Sequence, residues 1–244
     1  MIQTKKISTI STKVPPDSAS KKYINIFTWH PASHPNGSKY RVFSPYFLKT
    51  DGQEKNYNEG GVLFENFWQG SKVWQRVYNL EVWAHKNLRG QPQHLWWSHV
   101  CDNGKLFEDH VVADEIQPDY YVWRQTVWDC PKPIRYPNGF SRTAQTLFSL
   151  GIAKDGTEQR LNYLEARKEI YFKEYCRLVE KLPEYKTLLG MLQKGQDIVL
   201  CETDVPDNEI MDQEKLAALL INPSIKFGHG LCLAYSLLNH LNNK

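Results

Sequence analysis

The sequence lacks any apolar run near the ~18 residues that a membrane-spanning helix needs, so no membrane partner is expected. No signal-peptide pattern opens it. Cysteine is scarce: Cys101, Cys130, Cys176, Cys201 and Cys232 are five in 244 residues, widely spaced and without a Cys-x-x-Cys pair. That spacing excludes a zinc ribbon and a disulfide framework. It points instead to mostly buried, reduced thiols in a reducing, cytoplasmic compartment. Charge of one sign is also missing. Thirty Lys and Arg against 27 Asp and Glu leave a formal +3, too small a balance to mark a nucleic-acid protein on its own. His30 and His34 stand in a loop with two His-Pro steps and no further ligands nearby, so they read as loop histidines. No metal and no cofactor are expected.

Aromatic residues, by contrast, are plentiful at 13%. A chain of 28.5 kDa can bury well over half of its unfolded surface and needs no staples. Residues 1–22 are rich in Ser, Thr, Lys and Pro, hold one acid, Asp17, and show no apolar periodicity. They are expected to be a disordered tail ahead of one domain spanning 23–244. A transit peptide is disfavoured, because the segment contains no Arg. Residues 23–29 read as a strand by β-branched and aromatic content, and 40–48 as a second strand bent at Pro45. Asp51-Gly52 and Asn58-Glu59-Gly60-Gly61 mark turns.

The most informative stretch follows: Glu65-Asn66-Phe67-Trp68-Gln69-Gly70-Ser71-Lys72-Val73-Trp74. At about 100° per residue, Glu65, Gln69, Lys72 and Arg76 share one narrow stripe, with Val73, Val77, Leu80 and Ala84 on an adjacent apolar one. A helix that is apolar on most sides is usually buried, and Glu and Lys are seldom buried unless paired. The stripe is therefore either a structural ion pair or a cavity lining. In the second case a carboxylate acts as base or electrostatic stabiliser while an amide and an ammonium fix a ligand.

Residues 86–150 show no clean helix. They form an aromatic-rich insertion around 94–99 and 120–128, with Arg124, Lys132, Arg135 and Arg142 nearby. Rings beside cations can stack a base and grip phosphate, or simply pack. A long helix is expected from Tyr163 to Leu182, where Leu164, Tyr171, Tyr175, Leu178 and Leu182 recur at helical spacing. Pro183 then starts a helix that Gly195 ends. Residues 197–201 read as a buried strand. Asp212 can cap the next helix. Phe227-Gly228-His229-Gly230 leads into a final apolar helix. A glycine-rich loop at a helix start can hold an anion, or can be only a close-packed turn.

Glu65, Gln69 and Lys72 with aromatics between them resemble the signature helix of the NADAR (NAD- and ADP-ribose-associated) family, Glu-His-aromatic-aromatic-Gln-Ala-x-Lys. Asn66 stands at the family's His. Phe43-Ser44-Pro45-Tyr46 is similar to the family's Leu-Ser-Asn-Phe element beside the ligand pocket, with Pro45 at the Asn. Tyr163-Leu164-Glu165 is similar to the segment whose aromatic ring stacks on the ligand. Leu200-Cys201-Glu202 resembles the family's Leu-Val-Glu, which a Pro-containing loop connects to an Asp five residues on. Asp207 takes that place here, with Asp204 as the substitute. Gly228-His229-Gly230 occupies the place of the family's last Gly-rich segment.

The resemblance implies a mainly helical α+β fold, a single NADAR-like domain with a small sheet and an aromatic-rich insertion. It also implies hydrolysis of an N-glycosidic bond between a base and the ribose of a nucleotide or ADP-ribose moiety. Glu65 and Asp207 would be the catalytic pair. Ser44, Tyr46, Trp68, Gln69, Lys72, Tyr163, Gly228, His229 and Gly230 would bind the nucleotide-like or ADP-ribosylated substrate. The alternative class is a non-catalytic module that binds nucleotide or single-stranded nucleic acid.

Overall fold

A computed structural model describes residues 1–7, 14–26, 37–51, 61–74, 116, 118–131, 133, 146–152 and 156–242. The described chain mixes helices with two small sheets. It divides into two compact units. Unit 1 is discontinuous, formed by Met1–Leu48 and Arg167–Lys244, and unit 2 is Lys49–Ala166. Among the described residues no helix is long and apolar enough to cross a membrane.

Unit 1 is built on a four-stranded sheet with the order β2-β6-β1-β7. The strands are β1 (Ile2–Lys6), β2 (Lys21–Asn25), β6 (Asp197–Glu202) and β7 (Glu209–Met211). β6 runs parallel to both β1 and β2, while β7 is antiparallel to β1. The expectation of a disordered tail over 1–22 is thereby corrected. β1 pairs on both of its edges, Ile2 and Thr4 are fully buried, and the Thr4 hydroxyl donates to the Pro206 carbonyl at 2.8 Å. Further along, Ile7 packs with Val199 and Cys201, and Val14 and Tyr23 lean on the same cluster. Two inward side chains in a five-residue strand are enough once neighbouring strands supply every backbone partner. A second correction concerns 40–48. Tyr40 ends α1 (Gly37–Tyr40), Arg41–Phe43 form a 3-10 turn and residues 44–47 a bend and turn, and Phe43 is fully buried.

The helices of unit 1 follow the caps read from sequence. The long helix expected over 163–182 is realised in pieces. These are α4 (Tyr163–Ala166), which belongs to unit 2, a π-helical segment (Arg167–Phe172) and α5 (Lys173–Val179). α6 (Pro183–Gln193) opens on Pro183, and Gly195 follows it at φ +79°, a left-handed conformation that suits glycine. In α7 (Gln213–Ile221) the Asp212 carboxylate accepts from the Lys215 N–H at 2.7 Å, the expected N-cap. α8 (His229–Asn242) is buried along most of its first half.

Two polar devices tie these helices together. The Arg167 side chain is 2% exposed, and its guanidinium donates to the carbonyls of Leu220, Asn222 and Ile225 at 3.2, 2.8 and 2.7 Å. It thus satisfies the Leu220 carbonyl, which α7 cannot pair internally, and ties down the segment that follows the helix. The second device is a directed chain of hydrogen bonds. His240 Nδ1 lies 3.2 Å from the Ser236 carbonyl, which can only accept, so Nδ1 carries a proton. It lies 2.8 Å from the Tyr185 hydroxyl, Tyr185 lies 2.8 Å from Ser236 Oγ, and Ser236 donates to Glu180 Oε1 at 2.6 Å. With each hydroxyl owning one proton, the order of donation runs from His240 through Tyr185 and Ser236 to Glu180.

Unit 2 holds α2 (Phe64–Gly70), α3 (Pro118–Asp129), which corrects the expectation of no clean helix over 86–150, α4, and a three-stranded antiparallel sheet in the order β3-β4-β5. Its strands are β3 (Lys72–Trp74), β4 (Thr146–Ile152) and β5 (Glu158–Leu161). The expected continuation of the signature helix past Lys72 is corrected, since α2 ends at Gly70 and Lys72 opens a strand. The cause is tertiary. A Cβ on Gly70 would stand 2.5 Å from Trp128 Nε1, so α3 packs directly on the backbone where α2 stops. Tyr120 reinforces the join by donating to the Gly70 carbonyl at 2.7 Å, and Trp128 stacks on Phe67.

Candidate functional site

The polar stripe continues past the end of its helix. Gln69 Nε2 donates to Glu65 Oε1 at 2.8 Å, and Lys72 Nζ donates to Gln69 Oε1 at 3.0 Å. The four-residue step along α2 places Glu65 under Gln69. The turn at Ser71, whose hydroxyl donates to the Trp68 carbonyl, swings Lys72 back over the same face. The Lys72 ammonium also sits 4.7 Å from the centre of the Trp68 ring, a favourable cation–π placement. Ammonium, amide and carboxylate thus form one relay in which the amide passes polarisation from Lys72 to Glu65. Glu65 and Lys72 are half-buried and Gln69 is buried.

Burial pushes the Lys72 pKa down to about 8, against the neighbouring Glu65 carboxylate, which raises it. A lysine whose pKa is lower folded than unfolded binds fewer protons in the folded state between those two values. Stability therefore rises with pH over that interval, from about 8 towards 10.5. Chemical denaturation across this pH range is expected to show such a rise in the native protein, and Lys72→Met is expected to flatten it. An unchanged pH slope in Lys72→Met would assign the rise to another group.

Asn66 is fully buried and donates from Nδ2 to the Cys130 carbonyl at 2.9 Å, which ties α2 to the end of α3. Tyr163 opens α4 and is 53% exposed. In the aromatic stretch of α3, Arg124 lies over the rings of Tyr120, Tyr121 and Trp128 and pairs with Glu158 at 3.2 Å. The clusters expected at 94–99 and at Lys132, Arg135 and Arg142, and the loop with His30 and His34, lie outside the described residues.

The remaining predicted residues belong to unit 1. Ser44 is buried in a turn in which its hydroxyl accepts from the Tyr46 N–H at 3.3 Å. Asp207 is exposed, and its Oδ1 accepts from the Lys6 N–H at 3.0 Å beside the end of β1. Asp204 pairs with Lys226 at 3.3 Å. His229 opens α8, its Nε2 3.2 Å from the Ile26 carbonyl and its Nδ1 3.7 Å from Glu202 Oε1. Gly228 and Gly230 flank it, against Glu202 and Val205.

Glu202 is the residue that sequence reasoning passed over, using it only to locate Asp207. It is 3% exposed at the end of β6, and its Oε2 has no hydrogen-bond partner among the described residues. The available signal was an acid closing an otherwise apolar strand, a place where burial is costly. Among the described residues no group of three or more His, Cys, Asp or Glu side chains could hold a metal ion. No family model, curated protein or solved structure matches the chain.

Proposed function

We propose that this chain is a hydrolase that cleaves the N-glycosidic bond between a base and the ribose of a nucleotide or ADP-ribose moiety. The observation that carries the reading is the relay from Lys72 through Gln69 to Glu65 on an aromatic-rich helix. As the C1′–N bond breaks, its electron pair leaves with the base and positive charge grows at C1′. A carboxylate held in place beforehand stabilises that charge without reorganising. Water then adds to C1′, and its proton ends on the departed base. Lys72 and Gln69 fix the orientation of Glu65, and the Trp68 ring beneath the Lys72 ammonium helps hold that ammonium in place. The resemblance alone gives Asp207 the task of orienting water, which the turnover of Asp207→Ala tests separately.

Glu65→Gln keeps the shape and removes the charge. Turnover of an ADP-ribosylated base or nucleotide is expected to fall by about 100-fold or more, with ligand binding retained. Equal turnover in Glu65→Gln would refute the role of Glu65. Binding without turnover in the native protein would favour the non-catalytic nucleotide-binding module.

A further inference from the structure

In unit 1 the parallel strands β2, β6 and β1 end together, and open sheets of parallel strands bind ligands outside their carboxyl ends. Glu202 closes β6 there. Its Oε1 accepts from the Thr203 hydroxyl at 3.2 Å and faces His229 Nδ1 at 3.7 Å. Its Oε2 is buried and has no partner among the described residues. A buried acceptor in that condition is costly. Something that donates to it would recover that cost.

The first turn of α8 stands against the same oxygen. A Cβ on Gly228 would lie 3.1 Å from Glu202 Oε2 and one on Gly230 3.3 Å from it. The two glycines therefore let the helix start approach the carboxyl group closely. Leu231 and Cys232 donate to the Gly228 carbonyl, whereas the N–H groups of His229 and Gly230 have no acceptor among the described residues. The surroundings thus combine an acceptor, Glu202 Oε2, with donors at the positive end of a helix dipole. An anion would be repelled by Glu202 and a cation by the helix end. A neutral group that both donates and accepts suits each side, and a hydroxyl is such a group.

We propose that the carboxyl end of β6 is a binding site for a sugar hydroxyl, with Glu202 Oε2 accepting its proton and the first turn of α8 donating to its oxygen. His229, whose Nε2–H is committed to the Ile26 carbonyl, is a positioning residue that holds α8 against the end of β2. The site shares Gly228, His229 and Gly230 with the substrate set that the resemblance implies and to that extent rests on that reading; Glu202 takes no part in the proposed cleavage and the readout is binding rather than turnover, so the two fail separately.

Calorimetric titration of the full chain with adenosine, 2′,3′-dideoxyadenosine and D-ribose tests it. Adenosine is expected to bind at least tenfold more tightly than the dideoxy analogue, and Glu202→Gln to lose about 10–150-fold of the adenosine affinity. Binding of D-ribose with the same sensitivity would assign the site to a free sugar, and its absence to the sugar of a nucleoside. Glu202→Gln is expected to melt no lower than the native protein without ligand. Should it not fold, Glu202→Asp, which keeps the charge and withdraws the oxygen by a methylene, is expected to show the same loss of affinity. Equal affinity for adenosine and its dideoxy analogue overturns the proposal, as does unchanged affinity in the variant that folds, or binding by none of the three probes.

Discussion

A chain that begins at Tyr23 is expected to lose the cooperative unfolding of unit 1. The deletion removes β1, which lies between β6 and β7, and with it every backbone pair on one edge of each. It also removes the inward side chains of Ile2, Thr4 and Ile7, all buried. Edges newly exposed in this way invite pairing with other chains, so aggregation is expected alongside the loss. Thermal denaturation followed by circular dichroism, with size exclusion for the oligomer, reads the outcome. The single replacement Ile2→Ala should cost about 2–5 kcal/mol by the same route. A truncated chain that melts within a few degrees of the native one would show that β1 adds nothing to the sheet.

Arg167→Met should destabilise unit 1 by about 3–5 kcal/mol, because it removes a buried charged donor from three carbonyls at once. The methionine fills much of the volume, so the loss reports on unsatisfied carbonyls more than on a cavity. Arg167→Lys should recover only part of it, since one ammonium cannot reproduce a planar fork of donors. Urea denaturation of the three proteins measures both effects. A change under about 1 kcal/mol in Arg167→Met would mean that water replaces the guanidinium at the end of α7.

The local signals were legible wherever a single residue decides the backbone. Pro183, Gly195 and Asp212 mark their helix ends, and the apolar run before Glu202 is the strand expected there. The strand expected over 23–29 is found at Lys21–Asn25, with 27–29 outside the described residues. What escaped the sequence is set by distant partners. β1 reads as a polar tail because only Ile2 and Thr4 face inward, and its strand character comes from β6 and β7. Residues 40–48 have strand composition, yet they turn helically as Phe43 is buried and its carbonyl accepts from the Tyr175 hydroxyl at 2.7 Å. α2 stops at Gly70 because of Trp128, more than fifty residues away in sequence. The relay itself was visible as a stripe, since Glu65 and Gln69 lie one helical turn apart. Only the route by which Lys72 rejoins it differs.

The insertion of unit 2 within unit 1 sets an order of events during synthesis. β1 and β2 leave the ribosome well before β6, yet Ile2 pairs with Ile198 and Tyr23 with Val199. At 5–20 residues per second β1 waits roughly 10–40 s for β6. Unit 2 is a contiguous stretch and can mature in that interval. Sheet closure in unit 1 must instead span the whole intervening chain, the kind of non-local pairing that slows folding. Until β6 is made, β1 and β2 therefore lack the strand that pairs with both. The lysines at Lys5, Lys6, Lys21 and Lys22 place like charge on those strands and discourage them from pairing with each other or with neighbouring nascent chains.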